Sequence, residues 1–250
     1  MRNYVIINGV NSLTINGLAI NELPPISKPP MRVLQEEIDG RDGDITTDLG
    51  YGAYDKIMTI GLYNGYDINE IIAFFNKEGT IVFSDEADKY YIFKIIEQID
   101  YERLIKFRTA SITFHVQPFK YPLTNTPITL TTGANTITNQ GNIYSKPILT
   151  ISGSGNIDIS LNNNQIFSID MTNISVITID SNKMEAYNPS TGALLNRYVT
   201  GNYRNLYLEK GNNTLTITGT ISTGNITDYT RYLWLRYLIV MIKHMKQMEM

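Results

Sequence analysis

From Ile128 to Ser222 the sequence alternates apolar and polar residues in short runs, and this period of two constrains the fold more than any other feature. The runs are ITLTTGANTIT, KPILTIS, GNIDISLN, QIFSIDM, VITIDS, EAYNP, LYLEKG and NTLTITGTIS, separated by turn-forming residues. Alternation sends successive side chains to opposite faces of a strand, so each run buries one face and wets the other. With turns recurring about every eight to twelve residues, the pattern predicts an antiparallel sandwich.

Residues 1–119 read differently. NYVIING, MRVLQEEI, DKIMTIGLY, TIVFS, KYYIFKIIEQI and IKFRTASITFHV predict strands, rich in Ile, Val, Tyr and Phe. Residues 67–78 predict a helix: Ile68, Ile71, Ile72 and Phe75 recur at helical spacing behind Asp67, Glu70 is placed for a capping box, and Gly79 for a left-handed end. The fold class is mainly β, a β-sandwich-like N-terminal domain with one α-helix and a second, all-β sandwich. The boundary is expected in QPFKYPLTNTP, residues 117–127, where three prolines interrupt a strand. That divides the chain into 1–120, 121–236 and a tail, 237–250, of unassigned role.

Charge follows the same division. Residues 1–119 carry 11 basic and 17 acidic side chains, residues 120–230 carry 6 and 6, and residues 231–250 carry 4 and 1. Neither main segment offers the basic surface that a phosphate backbone requires, so no nucleic-acid partner is expected. The apolar run Tyr232–Lys243 is too short for a membrane span and contains Arg236. The opening MRNYVIINGVNS reads as a strand and a turn rather than a signal peptide. A soluble, unexported chain is the expectation, and the lack of cysteine suits a reducing cytoplasm.

Motifs for chemistry are missing. There is no H-E-x-x-H, P-loop, G-x-S-x-G or G-x-G-x-x-G, and the glycines at 50 and 52 read as the start of a strand. His115 and His244 lie far apart and read as structural or solvated. No catalytic, cofactor-binding or metal-binding residue is assigned, and an enzyme is not expected.

One stretch invites a cation: EEIDGRDGDI, residues 36–45. A calcium loop beginning at Asp42 puts Asp44 at the third position, but Thr47 stands where glycine is needed and Ala53 where a bidentate glutamate is needed. Beginning at Asp39 puts Arg41 among the ligands. The better reading is a structural turn, Gly40, Arg41, Asp42 and Gly43, reversing the chain between MRVLQEEI and DKIMTIGLY.

A hydrophobic strand running into Gly-Arg-Asp-Gly resembles the N-terminal domain of siphophage distal tail proteins, the Dit family. NQGNIYSKPILTISGSGNIDISLNN (139–163) resembles the opening of that family's second domain, and LEKGNNTLTITG (208–219) its closing strand. The pattern G-x-N-T-[IL]-T occurs at both 133–138 and 211–216. The resemblance implies a hexameric ring subunit with an outward galectin-like sandwich, located in the virion at the distal tail tip. Its partners would be the tail tube and the tip fibre, baseplate or receptor-binding proteins. A second reading, a carbohydrate-binding module of a tail-associated adhesin, lacks a core tryptophan, since Trp234 lies outside the sandwich; YNPSTG offers Tyr187 and Asn188.

Overall fold

A computed structural model describes residues 2–233. Trp234, His244 and the tail 237–250 lie outside the described residues. The chain forms two compact units, one reaching to Leu123 and the other spanning Thr124–Tyr232. No helix among the described residues is long and apolar enough to cross a membrane.

The first unit contains β1 (Val5–Ile7), β2 (Val10–Asn11), β3 (Leu18–Glu22), β4 (Met31–Glu37), β5 (Asp44–Tyr51), β6 (Tyr54–Leu62), β7 (Gly79–Phe83), β8 (Lys89–Lys94) and β9 (Thr109–Pro122). Two helices, α1 (Ile68–Phe75) and α2 (Tyr101–Phe107), accompany them. Seven strands form one antiparallel sheet in the order β2-β1-β7-β8-β9-β6-β3, and β4 pairs with β5 alone. The sheet's core is aromatic: Phe114 meets Phe93 at 5.4 Å and Phe83 at 6.1 Å between ring centroids. Ile71, Phe74 and Phe75 of α1 and Leu104 of α2 join the same core.

Several strand limits differ from the sequence expectation, each for a local reason. Helix α1 is capped by Asp67, whose side chain accepts from the Asn69 N–H at 2.8 Å, but it stops at Phe75. Gly79 does not end the helix; it opens β7 at φ 136°, where a Cβ would lie 2.2 Å from Asn8 Oδ1. The unit has a second helix. Residues 105–107 open the expected strand IKFRTASITFHV, yet Asp100 accepts from the Arg103 N–H at 2.8 Å and nucleates α2 over 101–107. Pro118 does not stop β9, which ends at Pro122. Pro118 falls where the β8–β9 register shifts, between the Tyr91–Lys120 and Phe93–Val116 pairs, and a bulge needs no ladder donor there.

The second unit contains β10 (Ile128–Leu130), β11 (Gly133–Asn139), β12 (Ile148–Leu161), β13 (Asn164–Asp170), β14 (Val176–Asp180), β15 (Glu185–Tyr187), β16 (Val199–Gly201) and β17 (Gly211–Thr227). KPILTIS and GNIDISLN are halves of one strand, β12, which shifts register around Gly153 and Ser154 instead of turning back. β12 and β17 therefore serve two layers. Residues 148–154 and 220–227 lie with β10, β14 and β15, whereas residues 156–161 and 211–218 lie with β11, β13 and β16. Leu149, Ile177 and Ile226 from the first layer share one core with Ile159, Phe167 and Ile217 from the second, which makes a sandwich.

The repeated G-x-N-T pattern is a structural device. β11 and the start of β17 pair with each other, from Gly133 opposite Ile217 to Asn139 opposite Gly211. Asn135 Oδ1 accepts from the Thr131 N–H at 2.8 Å and its Nδ2 donates to the carbonyls of Thr131 and Gly133. Asn213 makes the same bonds to Glu209 and Gly211. Each asparagine closes the turn that leads into its own strand.

Candidate functional site

The β4–β5 ribbon is the part of the first unit that packs least. Its register runs from Met31 opposite Tyr51 to Glu37 opposite Asp44, with a shift after Arg32. The strand preceding the Gly-Arg-Asp-Gly turn thus pairs with residues 44–51 and not with DKIMTIGLY, which is β6 in the main sheet. The alternation of Ile45, Thr47 and Leu49 was the available signal for β5.

Gly40 and Gly43 have φ of 79° and 78°, a conformation that costs a side-chain-bearing residue and not glycine. The Arg41 N–H donates to Ile38 O at 3.1 Å between them. Asp42 and Arg41 stand exposed at the tip.

Every residue from Met31 to Leu49 is exposed. Pairing of Leu34 with Thr47 and Glu36 with Ile45 places Leu34, Ile45 and Leu49 on one face of the ribbon. Leu34 is 47% and Leu49 53% exposed, on a face that they share with Arg32, Glu36 and Thr47. Val33, paired with Asp48, lies on the opposite and more acidic face.

The ribbon's root is held firmly. Tyr51 packs edge-on against Phe119 of β9 at 5.8 Å, and the Gly52 N–H donates to Pro30 O at 2.8 Å. Deeper, Lys56 Nζ donates to Pro25 O at 2.8 Å, tying the proline-rich lead-in to β6. Lys56 is buried against the rings of Tyr54, Phe83 and Tyr91. Burial outweighs the nearby Glu86 and pulls its pKa down to about 8.

Beside it, Glu86 accepts from Lys120 Nζ at 2.5 Å and from the Tyr91 hydroxyl at 2.7 Å. Burial, and then the Glu86 charge, pushes Tyr54 up to about 12 and raises Tyr91 still further. This cluster draws on β6, β8, β9 and the turn after β7, so no local pattern announces it.

The histidine within the described residues is a sheet residue. His115 and Asp55 are cross-strand partners on β9 and β6, Nδ1 to Oδ1 2.7 Å. Asn188 is consumed by its turn, where Oδ1 accepts from the N–H groups of Ser190 and Thr191, and Lys183 lies over the Tyr187 ring.

No family model and no curated protein matches the sequence. The structure is similar to the crystal structure of the SPP1 Dit (gp 19.1) protein, with a TM-score of 0.65 over 91% of this chain and 98% of that one, at 14% identity. The fold is that of a phage distal tail protein. Its other solved neighbours include the phage p2 baseplate in its activated conformation, with Sr (TM-score 0.48, 12% identity) and with Ca (TM-score 0.44, 11% identity). Each of these covers 91% of this chain and 97% of its own. The SPP1 Dit protein is described as a paradigm of hub adsorption apparatus in Gram-positive infecting phages.

Proposed function

We propose that this chain is a structural subunit of a phage tail hub that closes into a ring of six copies at the distal end of a long non-contractile tail. There it joins the tail tube to tip fibre, baseplate or receptor-binding proteins, after synthesis in the cytoplasm of the infected bacterium. The fold shared with a distal tail protein supports the role. The observation that carries assembly is the β4–β5 ribbon: an isolated two-stranded ribbon is marginal in water, and this one exposes Leu34, Ile45 and Leu49 on one face. A neighbouring copy laid along that face covers it. Because the ribbon meets a different patch on the neighbour, the contact is head-to-tail, and such contacts close into rings or grow into fibres. The reading is non-enzymatic.

Light scattering on the purified chain tests this. Six copies of the 28.3 kDa chain should give about 170 kDa, and electron microscopy of the same peak should show a six-fold ring. The double variant Leu34→Glu, Ile45→Glu should run as a monomer that melts normally, since neither residue belongs to the core. A wild-type monomer at every concentration would overturn the proposal.

A further inference from the structure

The second unit carries a cleft flanked by two tyrosines. An isolated antiparallel bridge, with the Ser145 N–H on Leu208 O at 2.9 Å and the Leu208 N–H on Ser145 O at 3.0 Å, clamps two loops together. Residues adjoining the bridge, Tyr144 and Tyr207, meet edge to face at 6.2 Å and 80°, each 38% exposed. With Lys146, Ser181, Met184 and Arg204 they line a cleft of about 280 Å³. Ligand clefts for whole drug-sized molecules run from roughly 300 Å³ upward, so this one suits a single ring.

Its charge is lopsided within a unit whose basic and acidic side chains balance overall. Lys146 sits near both Arg204 and Arg231, and its pKa is lowered first by burial and then by those two guanidinium groups. Asp180 opposes them, but its Oδ1 already accepts from the N–H groups of Asn182 and Lys183. Asp228 lies near Arg231. Arg204 extends into solvent and, among the described residues, its guanidinium makes no hydrogen bond or ion pair. Arg231 lies over the Tyr144 ring at 5.7 Å.

Aromatic rings beside crowded cations match a ligand that is both a ring and an anion. The perpendicular tyrosines offer one flat wall with a corner, not the parallel planes that sandwich a nucleobase. Three cations at one point also cannot track a nucleic-acid backbone. Met184, in a left-handed turn at φ 59°, completes the rim with an adaptable side chain.

We infer that this cleft binds an acidic saccharide unit, with the sugar ring against Tyr207 and Tyr144 and its phosphate or carboxylate between Lys146 and Arg204. The inference is independent of ring assembly.

Calorimetry on the full chain, with glucose 6-phosphate, glucuronate, glucose and inorganic phosphate as separate probes, decides it. At least one acidic sugar should bind roughly tenfold more tightly than either glucose or phosphate, as expected when charge-assisted and ring contacts act together. Arg204→Gln and Tyr207→Ala should each weaken that binding about tenfold, whereas Lys183→Gln should not. Both altered side chains are exposed, so melting temperatures should hold. On the unaltered chain, raising NaCl from 0.1 to 0.5 M should weaken binding about threefold or more by screening. Absence of binding by both acidic sugars, or phosphate binding as tightly as they do, would overturn the inference, and so would indifference to Arg204→Gln or to salt.

Discussion

The first unit buries Lys56, Glu86 and Lys120 among aromatic rings, whereas the second buries Asn139 and Asn213 against its own backbone. In the first, two strands and a turn contribute one charged partner each and β8 adds the Tyr91 hydroxyl, so that the members depend on one another. In the second, each amide works locally: Asn139 Nδ2 donates to Ile143 O and Leu208 O while its Oδ1 accepts from the Gly141 N–H. Even the buried carboxylate Asp180 accepts from backbone N–H groups of its own turn. The fall in charge density after Lys120 thus marks a change in how polar groups are satisfied. An ion cluster couples distant strands and fixes the ribbon's root; amides hold turns one at a time. The two designs should fail differently.

The sharpest contrast comes from Lys120→Met. It strands the Glu86 carboxylate in the core, and losing one partner of a buried pair costs about 3–5 kcal/mol. Urea denaturation should show that loss, and the double variant Lys120→Met, Glu86→Gln should recover most of it, because Tyr91 can still donate to the amide oxygen. A double variant as unstable as the single one would mean that packing, not charge pairing, sets the cost.

Alkaline pH separates the units next. Unfolded, Lys56 keeps its proton until 10.5; folded, it begins to release it at about 8. Between those values the unfolded chain binds the extra proton, so this residue makes stability rise with pH. The rise should amount to at most about 2 kcal/mol between pH 8 and 9.5, and Lys56→Met should flatten it. Above that window the tyrosines act in the opposite sense, since Tyr54 and Tyr91 stay protonated when folded and ionise when unfolded. A wild-type slope unchanged by Lys56→Met would assign the pH response to another group.

Asn213→Ala should lose about 1–2 kcal/mol, the cost of leaving the Glu209 and Gly211 groups without partners, and the loss should be the same at pH 7 and pH 9. Asn135→Ala makes the matching cut in a more exposed turn, and its loss should be smaller. A pH-dependent loss at Asn213 would blur the contrast between neutral and ionic satisfaction.

How much of this was legible depended on distance along the chain. Period-two alternation revealed most strands and the sandwich, and Asp67 revealed α1, because those signals are local. The seven-residue α2 was hidden because IKF satisfies strand and helix patterns alike, leaving only Asp100 as a cue. The continuity of β12 was hidden because a glycine-serine run signals a turn equally well as a bulge. The ion cluster and the tyrosine cleft were not legible: Lys56, Glu86 and Lys120, or Tyr144 and Tyr207, become neighbours only when segments distant in the chain come together.

The smallest expected effect is at the ribbon tip, where the most acidic stretch of the sequence tempts a metal assignment. Glu37 stands opposite Asp44, a repulsive cross-strand pair that a cation could relieve. A calcium site, however, needs six or more oxygens converging, and among the described residues no three carboxylate, imidazole or thiol side chains group for a metal. Gly40 and Gly43 turn the chain with positive φ, and Arg41 stands between them at the tip. Millimolar calcium or a chelator should therefore leave the melting temperature within about a degree, because only a ligand bound by the folded state moves it. Sodium chloride should do as well as calcium at equal ionic strength, since both merely screen Glu37 from Asp44. A rise of several degrees specific to calcium would mean that the tip cages a cation after all, and the acidic ribbon would then become a regulated arm instead of a fixed one.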